Sequence, residues 1–215
     1  MTNITDRSSV FRFEIKRIGR NASFDSCNCD CATSVTQILD CAQGAPFLVY
    51  IFDMTLFDGL LFTLTLVTAL GCGLIGGLFF AFSTAVMKAL SRLPSSEGIA
   101  AMQYINVVII NPIFLSAFLG TAAGCALVII ASLLRWHYPG SVCLLVGGVL
   151  YLVGSLLVTA AFNIPRNNAL ASAVPTDPKS ASLWADYLST WTAWNHLRTV
   201  ASILASASLT IGLCL

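Results

Sequence analysis

Hydrophobic residues run in long unbroken stretches along most of the chain and do not alternate with polar positions. Four stretches stand out, at about 59–87, 107–134, 141–163 and 193–215. An α-helix rises 1.5 Å per residue, so about 20 apolar residues cross the roughly 30 Å hydrocarbon core of a bilayer. No charged residue lies in the middle of any stretch, whereas a soluble amphipathic helix carries a polar stripe. The pattern therefore predicts an all-α fold, a transmembrane four-helix bundle.

Composition agrees with a membrane location. The chain is 57% hydrophobic and 10% charged, while soluble domains carry about 25% charged residues. The net charge of +1 predicts no strong attraction to nucleic acid. Four cysteines lie in apolar stretches and are expected to pack as small hydrophobic residues: Cys72, Cys125, Cys143 and Cys214.

The first part of the chain has a different character. Residues 1–45 hold five of the eleven Lys and Arg residues and no long apolar run. They also lack the apolar core of a signal peptide. We expect 1–53 to be an irregular extension, either disordered or the result of a start assigned too early, with Met54 as the natural start and 54–215 as the membrane domain.

A cluster of four cysteines lies in this extension, at Cys27, Cys29, Cys31 and Cys41. Zinc sites usually place two to four residues between paired cysteines, and here the first three are separated by single residues. This spacing does not favour a metal-binding or redox function, and the sequence assigns no role to these cysteines.

The connections between the stretches restrict the topology. The second connection, 136–140, is so short that the second and third helices must be antiparallel neighbours. The first, about 88–106, has room for a short interfacial helix. The third, about 164–192, is the longest and contains an amphipathic segment, SLWADYLSTWTAW.

Basic residues favour one orientation in the membrane. The first and third connections hold Lys88, Arg92, Arg166 and Lys179, against Arg135 on the other side. Because short cytoplasmic loops are enriched in Lys and Arg, we expect both long connections in the cytoplasm. Counting the basic residues of 1–53 would reverse this orientation.

Polar residues gather at one end of the predicted bundle. Four antiparallel helices bring together the end of the first and third stretches and the start of the second and fourth. That end collects Asn106, Asn111, Asn163, Arg166, Asn167, Asn168, Asn195, His196 and Arg198. Such groups are costly to bury unless they are hydrogen-bonded. The cluster therefore indicates either a structural network or a binding pocket.

Two features of this end have competing interpretations. Asn111 and Pro112 are suited to the cap and first turn of a helix, so capping is the simpler interpretation of Asn111. His196 can serve as a hydrogen-bond partner or as a general acid or base, while a lone histidine is a poor basis for a metal site. Trp184, Trp191 and Trp194 are expected to anchor the membrane interface, and they could also wall an aromatic pocket.

Four segments form a recognisable pattern: GLIGGLFFAFSTAVMKAL, AMQYINVVIINPIFLSAFLGTA, FNIPRNNALA and a stretch that starts at Trp184 and ends WTAWNHLRT. On these segments, the region from about Met54 to the end resembles the anthrone oxygenase-like family of small four-helix membrane proteins. The extension 1–53 has no counterpart in the family pattern. Many members of this family are bacterial and have no assigned reaction.

The resemblance implies an activity and a set of residues to carry it. Named fungal members oxidise an anthrone to an anthraquinone with O₂, with no evident metal or flavin, so no cofactor is expected. Such chemistry needs a base to form a carbanion and donors to hold the resulting oxyanion. The candidate base is His196. The candidate substrate contacts are Asn111, Asn163, Arg166, Asn167, Asn195, Arg198 and Trp194.

The resemblance also sets the expected partners and the alternative. We expect a multi-pass protein of a bacterial cell membrane whose partners are lipid and a flat aromatic, anthrone- or quinone-like molecule; self-association is left open. The competing hypothesis is a non-catalytic scaffold or partner-binding subunit, in which the Asn, His and Arg cluster only stabilises the fold.

Overall fold

Four membrane-length helices form the described part of the protein. The computed structural model describes the backbone of residues 45–215 and the side chains of residues 58–215. The α-helices are Ala45–Ala81, Met87–Leu90, Ser95–Val108, Pro112–Leu134, Ser141–Tyr151, Ile164–Ala171 and Ser180–Cys214. A wider turn with i to i+5 bonding, a π turn, occurs at Phe82–Val86, Leu152–Leu157 and Thr159–Asn163.

These helices join into four spans long and apolar enough to cross a bilayer. We call them the first span (Asp58–Leu90), the second (Pro112–Leu134), the third (Ser141–Ala171) and the fourth (Ser180–Cys214). The predicted all-α four-helix transmembrane fold is confirmed. The predicted extension 1–53 and its four cysteines lie outside the residues whose side chains are described.

The second span begins later than the hydrophobic pattern predicts. Its first residue is Pro112, and the side chain of Asn111 caps it by accepting a hydrogen bond from the backbone N–H of Phe114 at 3.0 Å. Asn111 also donates to the carbonyl of Val108 at 3.0 Å. Residues 107 and 108, which the pattern assigned to this span, belong instead to the helix Ser95–Val108, which we call the connecting helix. A short helix in the first connection agrees with the sequence prediction.

The third and fourth spans are longer than predicted. The third continues through Pro165 to Ala171, because this proline lies in the first turn after the π turn Thr159–Asn163, where a missing N–H is tolerated. The fourth starts at Ser180, so the amphipathic segment is part of the span. The third connection is therefore 172–179, which is much shorter than the predicted 164–192.

The first and second spans approach each other closely through glycine. A Cβ added to Gly71 would lie 2.2 Å from Thr121 Oγ1, and one added to Gly124 would lie 2.4 Å from Thr68 Oγ1. Each glycine thus accommodates a threonine of the opposite helix. Small residues allow this backbone approach, which is the main source of packing energy between helices in lipid.

The connecting helix closes one end of the bundle. Gly98 lies against the ring of Trp184, where an added Cβ would be 2.8 Å from Cζ2. Gln103 donates to the carbonyls of Leu170 and Ala173, at 2.8 and 3.0 Å, and so satisfies two carbonyls at the end of the third span. These contacts hold the connecting helix across the polar end of the spans.

Candidate functional site: a cavity at the polar end of the bundle

A cavity of about 310 Å³ lies beneath the connecting helix. Small-molecule sites usually measure about 300–1,000 Å³ and are mostly apolar with a few polar groups. The lining comes from all four spans and the connecting helix: Leu78, Phe79, Phe82, Met102, Ile105, Asn106, Ile109, Ile110, Phe114, Leu115, Phe118, Leu119, Leu156, Thr159, Ala160, Ile164, Asn167, Trp191 and Arg198. Its walls are mainly aromatic and aliphatic, and its polar groups are few.

Arg198 is the charged group of the cavity. Its side chain is buried, and its guanidinium carbon lies 4.1 Å from the ring centre of Phe79 and 5.4 Å from that of Trp191. Stacking on aromatic rings stabilises a desolvated guanidinium. Within residues 58–215 the only ion pair is that of Arg135 with Asp58, so no described carboxylate neutralises Arg198.

Asn195 fixes the position of this guanidinium. Asn195 is fully buried, and its amide nitrogen donates to the carbonyl of Phe79 at 2.7 Å and to Ser83 Oγ at 2.6 Å. Its amide oxygen is therefore left to accept from Arg198 Nη2. Arg198 Nη1 donates to Thr159 Oγ1 at 3.0 Å. Two guanidinium nitrogens are thus held by the protein.

Two buried donors on the cavity wall have no hydrogen bond of normal geometry. They are Arg198 Nε and Asn106 Nδ2. A buried donor without an acceptor costs about 1–3 kcal/mol. Both groups therefore favour a ligand that brings oxygen acceptors into the cavity.

Asn167 supplies a third polar group. Its amide oxygen accepts from Tyr187 Oη and from Trp191 Nε1, both at 2.8 Å. With the oxygen occupied by two donors, the amide nitrogen is the side of Asn167 that can serve a ligand. The same bonds orient the ring of Trp191, which forms part of the aromatic wall.

π turns surround the cavity at the level of Arg198. Phe82 belongs to the π turn of the first span, while Leu156 and Thr159 belong to those of the third. A π turn breaks the regular backbone bonding and redirects the following side chains, and it is frequent at functional sites. Here Thr159, in the second π turn of the third span, accepts the hydrogen bond of Arg198 Nη1.

The polar groups of the cavity lining are mainly hydrogen-bond donors. Its described polar groups are a guanidinium, two amides, a hydroxyl and an indole N–H, and no described carboxylate or histidine lines it. Among the side chains of 58–215, no three potential metal ligands lie together. The arrangement can bind an oxyanion or carbonyl edge of a flat, apolar ligand.

Several predicted site residues lie at the polar end but outside the cavity lining. Arg166 donates to Thr190 Oγ1 at 3.0 Å and to the Phe162 carbonyl at 2.9 Å. Asn163 is buried, its amide nitrogen 3.4 Å from the Trp191 carbonyl and its oxygen without a partner. These two residues tie the third span to the fourth. Their predicted contact with substrate stays a prediction.

His196 and Trp194 lie on the fourth span but outside the cavity lining. His196 is exposed and is absent from the lining, because the next residue after buried Asn195 is turned about 100° around the helix. Trp194 is half-buried and stacks on Phe162, with ring centres 3.6 Å apart. The structure does not bring His196 to the cavity, and its role as a base stays a prediction.

Of the eight predicted site residues, Asn167 and Arg198 line the cavity. Asn195 lies directly behind it, and Asn111 acts as the helix cap described above. Asn106 was grouped with the polar end by sequence, and the structure places it on the connecting helix, in the wall of the cavity. Trp191, one of the three tryptophans that could wall an aromatic pocket, lines the cavity, whereas Phe79 had no signal that separates it from other membrane aromatics.

The fold and site define a class: a four-span integral membrane protein with an internal small-molecule cavity. The family model described as anthrone oxygenase matches residues 113–208, which covers most of the second span, the whole third span and most of the fourth. This match confirms the resemblance to the anthrone oxygenase-like family over that region. No curated protein and no solved structure matches the chain.

Proposed function

We propose that this protein is a cofactor-independent oxygenase that converts an anthrone-like compound to its quinone with O₂. The observation that carries the proposal is the buried guanidinium of Arg198, which faces an apolar cavity without a carboxylate partner among the described residues. A charge left in this state favours a ligand that is itself anionic. The family match supports the reaction class.

The residues of the cavity have a defined part in this reaction. An anthrone has one acidic CH₂ group opposite its carbonyl, and loss of a proton from it gives an enolate with the negative charge on oxygen. Arg198, Asn106 and Asn167 would donate hydrogen bonds to this oxygen. Preorganised donors of this kind are worth about 10²–10³ in rate each.

The overall step balances without another reductant. The electron-rich enolate carbon gives electrons to O₂ and forms a carbon–oxygen bond, which yields a hydroperoxide after protonation. Loss of water from the hydroperoxide breaks the oxygen–oxygen bond and leaves the carbonyl of the quinone. The CH₂ carbon thus loses two hydrogens and gains one oxygen atom, and the second oxygen leaves as water.

The first proton can leave without a strong base in the cavity. Stabilising the enolate oxygen lowers the free energy of the ionised substrate, so water at the polar end is a sufficient acceptor in this proposal. The base predicted from sequence, His196, would have to act from outside the cavity lining.

A second candidate function is a membrane scaffold without catalytic activity. It is favoured by the number of contacts that join helices through the same cluster, such as Asn195 with Phe79 and Arg166 with Thr190. Arg198 Nε and Asn106 Nδ2, which make no hydrogen bond of normal geometry, argue against a purely structural role. Donors without acceptors do not stabilise contacts between helices. A bacterial cell membrane is the location that the resemblance favours for either function.

The test is oxygen consumption by purified protein in lipid nanodiscs, with an anthrone such as emodin anthrone. Quinone formation is followed by visible absorbance, and spontaneous oxidation is subtracted with empty nanodiscs. We expect turnover in the wild type and a loss of about 10²–10³ in Arg198→Gln. Arg92→Gln, which removes an exposed charge, is the matched control and should turn over normally.

Thermal unfolding in parallel separates the two functions. Full turnover by folded Arg198→Gln would overturn the assignment of Arg198. Absence of turnover in the wild type, with a lower melting temperature in Arg198→Gln, would support the scaffold.

A further inference from the structure

We propose that the cavity receives its ligand from the hydrocarbon core of the bilayer, through an opening between the second and third spans. The class of ligand, a flat lipid-soluble molecule with one oxygen-bearing edge, is taken from the proposed function. The route is inferred from the geometry of the described residues.

The opening is marked by residues that both line the cavity and reach the outer surface. Ile110, Leu119 and Ile164 are 68%, 51% and 46% exposed. Leu115 and Ala160 are exposed lining residues as well. One rim comes from the start of the second span and the other from the third. All five side chains are apolar, which suits contact with lipid and not with water.

The position of the rim along the helices places it below the ends of the spans. Leu119 lies seven residues after Pro112, which is about 10 Å along an α-helix. Ala160 lies eleven residues before Ala171, or about 16 Å by the same rise. The opening therefore runs beside the helices at a depth where acyl chains, and not headgroups, are the neighbours.

The backbone explains why the two spans separate here. In the other half of the bundle they nearly touch, since a Cβ added to Gly148 would lie 3.0 Å from the Cys125 carbonyl oxygen. The two π turns of the third span, Leu152–Leu157 and Thr159–Asn163, follow directly. Such turns bend a helix, and the cavity begins where they begin.

The polar lining residues are separate from this rim. Arg198 belongs to the fourth span, Asn106 to the connecting helix and Asn167 to the third span, and the rim itself has no polar side chain. A strongly hydrated ligand would lose its water in crossing such a rim, at a cost of several kcal/mol. A lipid-dissolved ligand loses none, and its oxygen-bearing edge gains hydrogen bonds from the donors of the lining.

The test uses quenching of Trp191, the tryptophan of the cavity wall, and needs no substrate. The other three tryptophans, Trp136, Trp184 and Trp194, are changed to Phe, and the protein is placed in vesicles of phosphatidylcholine with brominated acyl chains. Bromine quenches only on contact. We expect loss of Trp191 emission in brominated vesicles and little quenching by acrylamide, which is dissolved in water.

Closing the opening should protect Trp191. Ala160→Phe narrows the rim, and Ala161→Phe is the matched control, because Ala161 is also exposed but does not line the cavity. We expect the bromine effect to fall in Ala160→Phe and to persist in Ala161→Phe. Equal bromine quenching in the two variants would overturn the route, as would acrylamide quenching without bromine quenching, or no quenching at all.

Two further comparisons keep the outcome clear. Should the single-tryptophan protein not fold, the difference in quenching between the wild type and Trp191→Phe measures the same quantity. Bromine quenching in a protein that fails to oxidise anthrones would leave the lipid route in place and remove only the proposed reaction.

Discussion

At the scale of single residues, the site depends on the direction in which each side chain leaves its helix. Asn195 and His196 are neighbours in sequence, yet one is fully buried behind the cavity and the other is exposed. Sequence reasoning fixed the level of both residues in the membrane but not their direction around the helix. The base predicted from the family resemblance is the residue most affected by this difference.

The substitution His196→Ala tests whether the exposed histidine has any part in the reaction. We expect anthrone turnover within about twofold of the wild type, since surface substitutions away from a site change little. The measurement is initial oxygen uptake at saturating anthrone, with melting temperature as the check on folding. Loss of turnover in a normally folded variant would restore His196 as the base and require a motion that brings it to the substrate.

The substitution Asn106→Leu tests whether the side-chain amide of Asn106 binds the ligand. Its amide nitrogen is buried and makes no hydrogen bond of normal geometry, so Asn106→Leu removes a poorly satisfied group of similar size and should leave the free energy of unfolding unchanged or raise it. Affinity for a hydroxyanthraquinone, the product class, should fall, because an oxyanion donor is lost. Visible absorbance of the bound quinone measures the affinity, and thermal unfolding measures stability.

The control for Asn106→Leu is the other asparagine of this region. Asn111→Ala removes a helix cap and should cost about 0.5–2 kcal/mol of stability with little change in quinone affinity. A lower stability for Asn106→Leu together with unchanged affinity would contradict a ligand role for Asn106 and identify it as a structural residue.

At the scale of elements, the sequence predicted the spans well and their irregularities poorly. Long apolar stretches are sufficient to predict four membrane helices, because lipid leaves the backbone few alternatives. The π turns at Phe82–Val86 and Thr159–Asn163 left no such signal. They coincide with contacts from distant residues, such as Asn195 with Ser83 Oγ, and a pattern along one helix does not contain its neighbour. This is why Phe79 and Thr159 could not be assigned to the site in advance.

The substitution Gly98→Ala tests how the connecting helix is held over the cavity. Gly98→Ala would put a Cβ 2.8 Å from Trp184, so either the indole or the connecting helix must shift. Overpacking of this kind costs about 1–3 kcal/mol. A shift of the helix also moves Asn106, so quinone affinity should fall together with the melting temperature.

Gly77→Ala is the matched control, since nothing lies within 4 Å of the added Cβ and the residue is within a helix. Alanine at such a position is about 0.5–1 kcal/mol better than glycine. Equal melting temperatures for Gly98→Ala and Gly77→Ala would mean that the contact between Gly98 and Trp184 does not hold the connecting helix in place.

At the scale of the whole molecule, charge is divided between the two ends of the bundle. The polar end, with the cavity donors and the connection 172–179, carries Lys88, Arg92 and Lys179. The opposite end has the short connection around Gly140, whose φ of +82° favours glycine, and an ion pair between Arg135 and Asp58. This pairing partly neutralises the basic residue that would oppose the orientation predicted from the loops.

We therefore expect the polar end of the bundle to face the cytoplasm, as the positive-inside rule predicts for short loops. Tyr138→Cys and Val174→Cys place single thiols in the opposite connections, in a protein whose native cysteines are replaced by serine or alanine. On intact cells a membrane-impermeant maleimide should label Tyr138→Cys, and Val174→Cys only after lysis. In this orientation the donors of Arg198 and Asn167 lie on the cytoplasmic side, so a product that leaves the cavity at its polar end would enter the cytoplasm. The reverse labelling pattern would show that the basic residues of 1–53 determine the topology, and would place the same donors on the outer side of the membrane.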